Sequence, residues 1–548
     1  MNKIAKILCL VLALLMASTA ALAVESSQIV GTAVITPHDY GARGLTQLPI
    51  TDEPITIQVW KGLNEPVMTS WDQCIVYDEL EKRTGIHIDW VYPPVGSERD
   101  NFNLRIASND LPHMFVEGRS QYQGSLDEIC DDEVFMDITP YYEAGYTPNY
   151  KYLRDTYEDI RMDTILDSGK LAVFWQFDYV GTSPWSGFWA RKDLMDKYNL
   201  EAPVTFEDWE NFIKTCYDEG GYKILIQAGA NGGGGGDLDT CYYVFSAYDV
   251  GYYYYQVDGT VKYGAMEDGY ADALAVLAKW YANGWIDPDF AGYDWNTYKA
   301  RIADPANYSI FGMNYGEVGQ TVTTARLSVP EYDLIPINGP KLTADQELHL
   351  RQYDFTTRAQ WDALTWRCVD DGIAEKVCQW KDYWYSQEGA ELFSYGVEGI
   401  SYIWNDKGEL EWVYDKPENA QYFPIDMADE TNDFWTVYPL FKLHNGGYLR
   451  DSGSYIMSDY VWACIDEWAK VEPSYGIPMT SFTAEEATDY AALNTPIESY
   501  LNECVGKIIT GQMDISEWPT VQQNLKDMGI EDCIAYQQAA YDRYAERG

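Results

Sequence analysis

A carboxylate set between two glycines is the first candidate for chemistry, in the sequence LFSYGVEGISYIWNDKGELEWV that begins at Leu392. Glu398 follows Gly396, precedes Gly399 and is followed by Trp404. Glycine lets the backbone turn tightly and be approached closely, so the carboxylate and the aromatic ring are expected near one another. Three interpretations fit this pattern: a catalytic carboxylate, a residue that holds a ligand, or a turn between a helix and a hairpin.

Other aromatic and polar residues are predicted to lie near the ends of strands. In open α/β sheets, ligands bind beyond the carboxyl ends of the strands. Aromatic faces stack on the C–H faces of sugar rings, while carboxylates and amides accept hydrogen bonds from hydroxyl groups. This combination suits a cleft for a neutral, hydroxyl-rich ligand. The candidate ligand-binding residues are Trp60, Asn64, Trp175, Trp185, Trp189, Trp295, Tyr315, Glu317, Glu398 and Trp404.

Signals for phosphate, nucleotide or metal chemistry are weak. The run NGGGGGD at 231–237 lacks the Gly-Lys-Ser/Thr ending of a P-loop and the strand–helix context of a dinucleotide fold. It therefore predicts a surface loop. The five histidines have no metal-ligand spacing, and no cofactor or metal is expected.

The elements that position these residues alternate between strands and helices. Residues 55–60 alternate in strand fashion, a helical pattern covers about 69–83, and alternation returns from 86. Such a strand–helix–strand unit predicts a parallel sheet. Further strands are expected at 171–177, 222–229, 308–316 and 332–337.

Capping signals mark the helices. Thr205 begins a helix with an apolar stripe, and Gly220 and Gly221 end it. In the C-terminal part, TAEE at 483–486 and TPIE at 495–498 both read as capping boxes, so two separate helices are expected there.

Composition and the N-terminus indicate a large, acidic, exported protein. The chain has 548 residues, and this length predicts at least two domains. Its net charge of −48 at pH 7 argues against nucleic-acid binding, because so acidic a protein repels the phosphate backbone. Lys3 and Lys6 precede an apolar run and STAALA, so residues 1–23 read as a signal peptide. Export permits disulfides. The conceivable pairs are Cys368 with Cys378 and Cys216 with Cys241.

Six segments carry a resemblance to a known family. In chain order they are EKRTGIHIDWVYPP, NFNLRIASNDLPHMF, GFWARKDLMDKYNLEAPVTFEDWENFIK, KWYANGWIDPDF, SYGVEGISYIW and LKDMGIEDCIAYQQAAYDRY. Together they resemble the extracellular solute-binding proteins of carbohydrate ABC importers, in particular the lipoprotein-like oligosaccharide-binding branch. They follow the order of that family and cover nearly the whole chain after the signal peptide.

The resemblance implies an α/β, two-lobed periplasmic-binding-protein type (class II) fold, with a hinge and a helical C-terminal region. After a tether at 24–50, lobe 1 is expected to comprise 51–168 and 305–365, and lobe 2 to comprise 169–304 and 366–548. The implied function is non-enzymatic: a monomer at the periplasmic or extracellular face of the membrane captures an oligosaccharide and delivers it to permease subunits. Glu398 would then be a turn or cleft residue.

Two departures and two alternatives accompany this interpretation. His113 stands where the family usually has Asp, and no lipobox cysteine follows the signal peptide. The first alternative is a secreted glycoside hydrolase with Glu317 and Glu398 as its carboxylates. The second is a protein that binds peptides or another non-sugar solute on the same scaffold.

Overall fold

The computed structural model describes most of the chain after the predicted tether. The described residues are 48–118, 121–122, 125–178, 184, 186–225, 241–290, 295–314, 318–352, 357–408, 410–427, 437–443, 447–448 and 459–547. The predicted signal peptide and most of the predicted tether therefore lie outside the described residues.

Fourteen strands in the described residues form two large sheets and two hairpins. In chain order they are β1 (Ile55–Trp60), β2 (Ile86–Val91), β3 (Met114–Phe115), β4 (Phe174–Asp178), β5 (Ser186–Arg191), β6 (Lys223–Leu225), β7 (Tyr254–Val257), β8 (Thr260–Tyr263), β9 (Tyr308–Asn314), β10 (Leu334–Ile337), β11 (Thr357–Leu364), β12 (Tyr402–Trp404), β13 (Leu410–Trp412) and β14 (Gly447–Tyr448). The first sheet has the order β14-β4-β11-β3-β1-β2 and the second β10-β5-β9-β6.

Helices cover both sheets and dominate the C-terminal part. Those in the described residues are α1 (Ile75–Thr84), α2 (Glu98–Ser108), α3 (Leu126–Asp131), α4 (Thr139–Glu143), α5 (Pro148–Thr156), α6 (Glu158–Thr164), α7 (Lys192–Tyr198), α8 (Phe206–Gly220), α9 (Cys241–Ser246), α10 (Asp268–Ala282), α11 (Trp295–Ile302), α12 (Val318–Arg326), α13 (Arg367–Asp370), α14 (Ala374–Tyr383), α15 (Gln387–Tyr395), α16 (Asp459–Trp468), α17 (Ala484–Ile509), α18 (Trp518–Asp527) and α19 (Ile530–Glu546). Short 3₁₀ turns lie at Trp71–Gln73, Gly264–Met266, Pro417–Tyr422, Tyr438–Leu440 and Ile515–Glu517.

The first sheet confirms the predicted strand–helix–strand unit. Strand β1 pairs in parallel with β2 and β3, and α1 connects β1 to β2. Ile57 and Val59 on β1 are fully buried, as the alternation predicts. Gly85 ends α1 with φ +77°, and a Cβ there would meet the Thr51 carbonyl oxygen at 2.6 Å, so a larger residue is excluded.

The second sheet is buried on both faces, which is why its strands are almost wholly apolar. Phe188 on β5 and Ile310 on β9 contribute to one core, which helices α8, α10 and α17 cover. Their neighbours Trp189 and Phe311 face a smaller core that includes Trp468 of α16. The first sheet packs in a separate hydrophobic core, to which helices α14 and α15 also contribute.

The chain passes between the two sheets three times: from β4 to β5, from β10 to β11, and from β14 to α16. The division of lobes drawn from the sequence differs from this arrangement. Strands β9 and β10, expected in lobe 1, pair with β5 in the second sheet. Strand β4 and helices α14 and α15, expected in lobe 2, belong to the first sheet and its core. Long-range strand pairing decides this assignment, and local patterns do not contain it.

The C-terminal part is helical, as predicted, with one correction. Thr483 forms the expected capping box with Glu486. The second predicted start, at Thr495 and Pro496, is wrong because α17 continues through Pro496 to Ile509. An interior proline costs a helix roughly 3 kcal/mol, but Ile497, Leu501, Val505 and Ile508 are buried on the same stripe, and their packing holds the helix together.

Eight described cysteines are buried and none of them is in a disulfide. They include Cys368, Cys378 and Cys216, so the disulfide considered between Cys368 and Cys378 is not formed. The other considered pair involves Cys241, whose side chain lies outside the described residues. Burial raises the pKa of the Cys368 thiol to about 12, which keeps it protonated and poorly reactive.

Candidate functional site

A cavity of about 480 Å³ opens at the carboxyl edge of the first sheet. Its lining combines polar and aromatic side chains. Its lining residues are Trp60, Lys61, Gly62, Asn64, Glu65, Trp71, Glu98, Val116, Glu117, Gln121, Gln176, Gln360, Tyr438, Pro439 and Leu443.

Sheet topology brings these residues together. The parallel strands β1 and β3 end at the same edge, so Lys61, the first residue after β1, and Glu117, the second after β3, are neighbours. Strand β11 is antiparallel to both β3 and β4. Its first half and the end of β4 therefore reach that same edge, which places Gln360 beside Gln176.

Two indoles form the aromatic part of the wall. Trp60 is 2% exposed, its Nε1 donates to Asn101 Oδ1 at 2.9 Å, and its ring meets Phe102 and Phe115 edge to face. Trp71 donates from Nε1 to the Gly62 carbonyl oxygen at 2.9 Å. Both rings are held in place by these bonds and serve as a rigid apolar wall.

An ion pair joins the ends of β1 and β3. Lys61 Nζ lies 2.9 Å from Glu117 Oε1, with side-chain exposures of 4% and 49%, and 4.7 Å from the centre of the Trp71 ring. The ammonium is therefore inside the wall, while the carboxylate is open to the cavity. Burial raises the pKa of nearby Glu65; Lys61 opposes this rise and Glu117 adds to it.

Two of the lining amides, Gln176 and Gln360, come from strands β4 and β11. Gln176 is 3% exposed. The Oε1 atom of Gln360 is buried and has no hydrogen-bond partner among the described residues. A buried acceptor without a partner costs about 1–3 kcal/mol, so this oxygen is suited to accept a bond from a ligand hydroxyl or a bound water.

Of the predicted ligand-binding residues, Trp60 and Asn64 lie at this cavity. Trp175 does not. It lines a second cavity of about 380 Å³ with Trp361, Tyr122 and residues near Met479. Trp175 and Trp361 are paired across β4 and β11, and they lie one residue along each strand from Gln176 and Gln360, so they point to the opposite face of the sheet.

Trp189 is a core residue, and its predicted stacking role is wrong. Its side chain is 0% exposed, its Nε1 donates to the Met313 carbonyl oxygen at 3.0 Å, and its ring packs against Trp468. Alternation on a strand buried on both faces does not distinguish a core tryptophan from one at a cleft.

The segment around Glu398 forms the predicted turn and hairpin, with β12 paired to β13. Glu398 is exposed, and the next residue, Gly399, donates its N–H to the Tyr402 carbonyl oxygen at 2.7 Å. Trp404 packs against Tyr395 and Tyr402. Neither Glu398 nor Trp404 lines the 480 Å³ cavity, which favours the structural interpretation of this segment.

The remaining predicted residues cannot be placed at the site. Trp185, Tyr315 and Glu317 lie outside the described residues. Trp295 is the first residue of α11.

His113, the departure from the family pattern, has a structural role. The ring is buried, and Nδ1 accepts the Gln58 backbone N–H at 2.8 Å. The proton is therefore on Nε2, which donates to Asp371 Oδ2 at 2.9 Å. Burial lowers the pKa of His113, and the bond to Asp371 opposes this shift.

Several lining residues were missed from the sequence. Lys61 is the first residue after β1 and Glu117 is the second after β3, so the carboxyl-end rule that identified Asn64 also applies to them. Gln176 and Gln360 carry no such signal, because their position depends on the pairing of β4 with β11.

A larger cavity, of about 850 Å³, lies along strand β10. It is lined by residues such as Pro203, Lys341, His349 and Glu467. It does not lie at the carboxyl ends of parallel strands, where ligands of such sheets bind. The smaller cavity is therefore the better candidate for the ligand site.

The described residues lack two features that would indicate other functions. They contain no cluster of three or more His, Cys, Asp or Glu side chains that could hold a metal ion. No helix in this part of the chain combines the length and apolar character needed to cross a membrane.

The fold carries a candidate ligand cavity at one edge of its first sheet. The family model for "Bacterial extracellular solute-binding protein" matches residues 65–343, about half of the chain. The chain belongs to this family, which confirms the resemblance.

Individual relatives of this chain are also substrate-binding or solute-binding proteins of ABC transporters. The chain is 24% identical over 503 residues to the fructooligosaccharide ABC transporter substrate-binding protein FusA of Streptococcus pneumoniae serotype 4, covering 86% of this chain and 87% of that protein. The structure of S. pneumoniae FusA in complex with kestose superposes with a TM-score of 0.68 at 18% identity, covering 90% of this chain and all of the other. An HMO-binding, ABC-transporter-associated protein from Bifidobacterium longum infantis gives 0.71 at 13% identity, covering 90% and 99%. These superpositions confirm the two-lobed α/β fold.

Proposed function

We propose that this protein is the extracytoplasmic solute-binding subunit of an ABC importer and that it captures a neutral oligosaccharide between its lobes. It delivers the sugar to permease subunits in the membrane. It works as a monomer without catalysis, at the periplasmic or extracellular face of the membrane, after removal of residues 1–23. The relatives support the substrate class: the name of FusA specifies fructooligosaccharides, and its structure holds kestose.

The observation that carries the proposal is the composition of the cavity at the edge of the first sheet. A half-exposed carboxylate, Glu117, and the buried oxygen of Gln360 face a space bounded by the Trp71 indole. Carboxylate and amide oxygens accept hydrogen bonds from sugar hydroxyls, and the indoles supply apolar surface. Ligand pockets of this kind combine an apolar wall with a few placed polar groups.

The charge of the lining favours a neutral ligand. Among the described lining residues, Glu65, Glu98 and Glu117 carry negative charge, and Lys61 is already paired with Glu117. A uronate or a phosphorylated sugar would meet like charge here, and close like charges repel. We therefore expect weak binding of anionic oligosaccharides.

The hydrolase alternative needs two carboxylates on either side of one bond. Glu398, one of its two candidates, is exposed in a turn outside the cavity. This observation supports binding over hydrolysis.

The proposal is tested by titration calorimetry on the protein without residues 1–23. The panel contains neutral fructooligosaccharides, other neutral oligosaccharides, a uronate oligosaccharide and short peptides. We expect saturable binding of one neutral series and intact sugars after incubation. Glu117→Gln and Gln360→Ala should each weaken that binding about tenfold or more, because a hydrogen bond to a charged or buried group contributes about 1.5–3 kcal/mol.

Glu398→Gln is the matched control, since it makes the same chemical change as Glu117→Gln on an exposed turn. Its affinity should equal that of the unmodified protein. Binding of peptides alone would overturn the substrate class, and shortened oligosaccharides would overturn the non-enzymatic role.

A further inference from the structure

A buried ion pair lies directly behind the candidate site. Asp362 on β11 and Lys381 on α14 are both 0% exposed, and Lys381 Nζ lies 2.5 Å from Asp362 Oδ2. The ammonium also lies 3.6 Å from the centre of the Trp384 ring. Replacing such a pair with apolar residues often leaves stability unchanged or raises it, so stability alone does not account for its presence.

The second oxygen of Asp362 reaches the ligand cavity through the backbone. Asp362 Oδ1 accepts the Glu117 N–H at 2.9 Å. Glu117 has φ +55°, in the left-handed region that residues other than glycine rarely adopt. Such a conformation costs of order 1 kcal/mol and persists only where its surroundings enforce it.

The residues next to Glu117 and Asp362 form a second contact, in which Gly118 packs against the Trp361 ring. A Cβ on Gly118 would lie 2.0 Å from Trp361 Cζ3, so the backbone at Gly118 rests on that ring. Two consecutive strand residues, Trp361 and Asp362, therefore hold two consecutive loop residues, Gly118 and Glu117.

We propose that Asp362 positions Glu117 for ligand binding: Asp362 Oδ1 holds the Glu117 backbone in its left-handed conformation, while Lys381 pairs with the other oxygen of this buried carboxylate. The Glu117 side chain is thereby directed to Lys61 and the cavity before the ligand arrives. Preorganisation of this kind raises affinity by removing the cost of ordering the loop on binding. The inference rests on the proposed function for its effect on affinity, but the effect on the loop is independent of any ligand.

The test compares two double variants that both remove the buried charges. In Asp362→Asn with Lys381→Met, the amide oxygen still accepts the Glu117 N–H. In Asp362→Leu with Lys381→Met, no acceptor remains. Asp362→Ala with Lys381→Met serves in its place if leucine prevents folding. Val377→Ala, a cavity-forming change in the same helix at a fully buried residue, controls for a loss of stability without a change in the acceptor.

The first measurement is hydrogen exchange at the Glu117 amide, without ligand. We expect protection in the unmodified protein, the Asn variant and Val377→Ala, and at least tenfold faster exchange in the Leu or Ala variant. Equal protection in all variants overturns the inference, whatever the protein binds.

The second measurement is affinity for the neutral oligosaccharide series. We expect about tenfold weaker binding in the Leu or Ala variant and near-normal binding in the Asn variant and Val377→Ala. Faster exchange with unchanged affinity would contradict the positioning role. If the unmodified protein binds no sugar, the proposed function is wrong. The hydrogen-exchange result alone then decides whether Asp362 holds the Glu117 backbone.

Discussion

Arg547 and Asp167 are 380 residues apart in the chain and form an ion pair, with Arg547 Nη2 2.5 Å from Asp167 Oδ1. The same guanidinium donates to the Ser481 hydroxyl at 2.6 Å and, from Nη1, to the Met162 carbonyl oxygen at 2.9 Å. In return, Arg161 donates to the Arg547 carbonyl oxygen at 2.7 Å. Helix α6 packs in the first core and α19 in the second, so these bonds fasten the C-terminal helix to the first lobe.

Removal of this fastening should destabilise the protein. Arg547→Ala removes the charge-assisted bonds to Asp167, Ser481 and Met162, and we expect its free energy of unfolding to fall by about 1–3 kcal/mol. Urea denaturation measures this change. The control is Lys507→Ala, which breaks a pair whose members are 41% and 60% exposed and should change stability by less than about 1 kcal/mol. Equal effects of the two variants would show that Arg547 behaves as an ordinary surface residue.

Asp163, beside the same helix, should make stability depend on pH. Tyr544 donates to Asp163 Oδ1 at 2.7 Å. Burial raises the pKa of Asp163 to about 6 from 3.8, against the lowering effect of the bond from Tyr544. Since the folded state holds this proton more tightly, the contribution to stability is fully present below pH 3.8 and is lost as the pH rises through 6.

Asp163→Asn removes this titration. Relative to the unmodified protein, its free energy of unfolding should rise by up to about 3 kcal/mol between pH 3.5 and pH 7. Denaturant unfolding of both proteins at the two pH values gives the difference. A difference that does not change with pH would contradict the raised pKa.

Gly118 should be intolerant of a side chain. In Gly118→Ala the new Cβ would lie 2.0 Å from the Trp361 ring, and overpacking of this kind costs about 1–3 kcal/mol. Because the loop also carries Glu117, ligand affinity should fall as well. Gly62→Ala is the control at the same cavity, where the Cβ would meet only Glu98 Cγ, at 3.9 Å. Thermal unfolding of the two variants should differ clearly, and similar melting temperatures would contradict the contact.

His113 should confer sensitivity to acid. Its ring is held neutral, with Nδ1 accepting the Gln58 N–H, and burial lowers its pKa from 6.5. The stabilisation is present above pH 6.5 and is lost as the pH falls through the lowered pKa. His113→Ala leaves the Gln58 N–H without this acceptor and should cost about 1–3 kcal/mol near pH 7. The cost should shrink toward pH 4, and an undiminished cost there would contradict the tautomer.

Local patterns predicted the elements well. The alternation at 55–60 and the helix that follows gave the parallel pairing of β1 with β2, and Thr205 and Thr483 begin helices where their capping signals stand. The membership of β9 and β10 in the second sheet could not be predicted, because strand pairing across more than a hundred residues leaves no trace in local periodicity.

The lining of the candidate cavity could be predicted only in part, for the same reason. Asn64 follows from a rule about strand ends. The prediction that Trp189 stacks on a ligand was wrong, because a strand buried on both faces has no polar side that distinguishes a core tryptophan from one at a cleft. The position of Gln360 at the cavity depends on the pairing of β11 with β4. The direction of the Glu117 side chain depends on a left-handed backbone conformation, which the contact with Asp362 holds and which the sequence does not show.

The most direct test of the central claim is a crystal structure of the protein with the neutral oligosaccharide that binds best in the calorimetric panel. We expect sugar hydroxyls within hydrogen-bonding distance of the Glu117 carboxylate and Gln360 Oε1, with a sugar ring against Trp71. An oligosaccharide bound elsewhere, such as in the 850 Å³ cavity beside β10, would show that the proposed site is wrong.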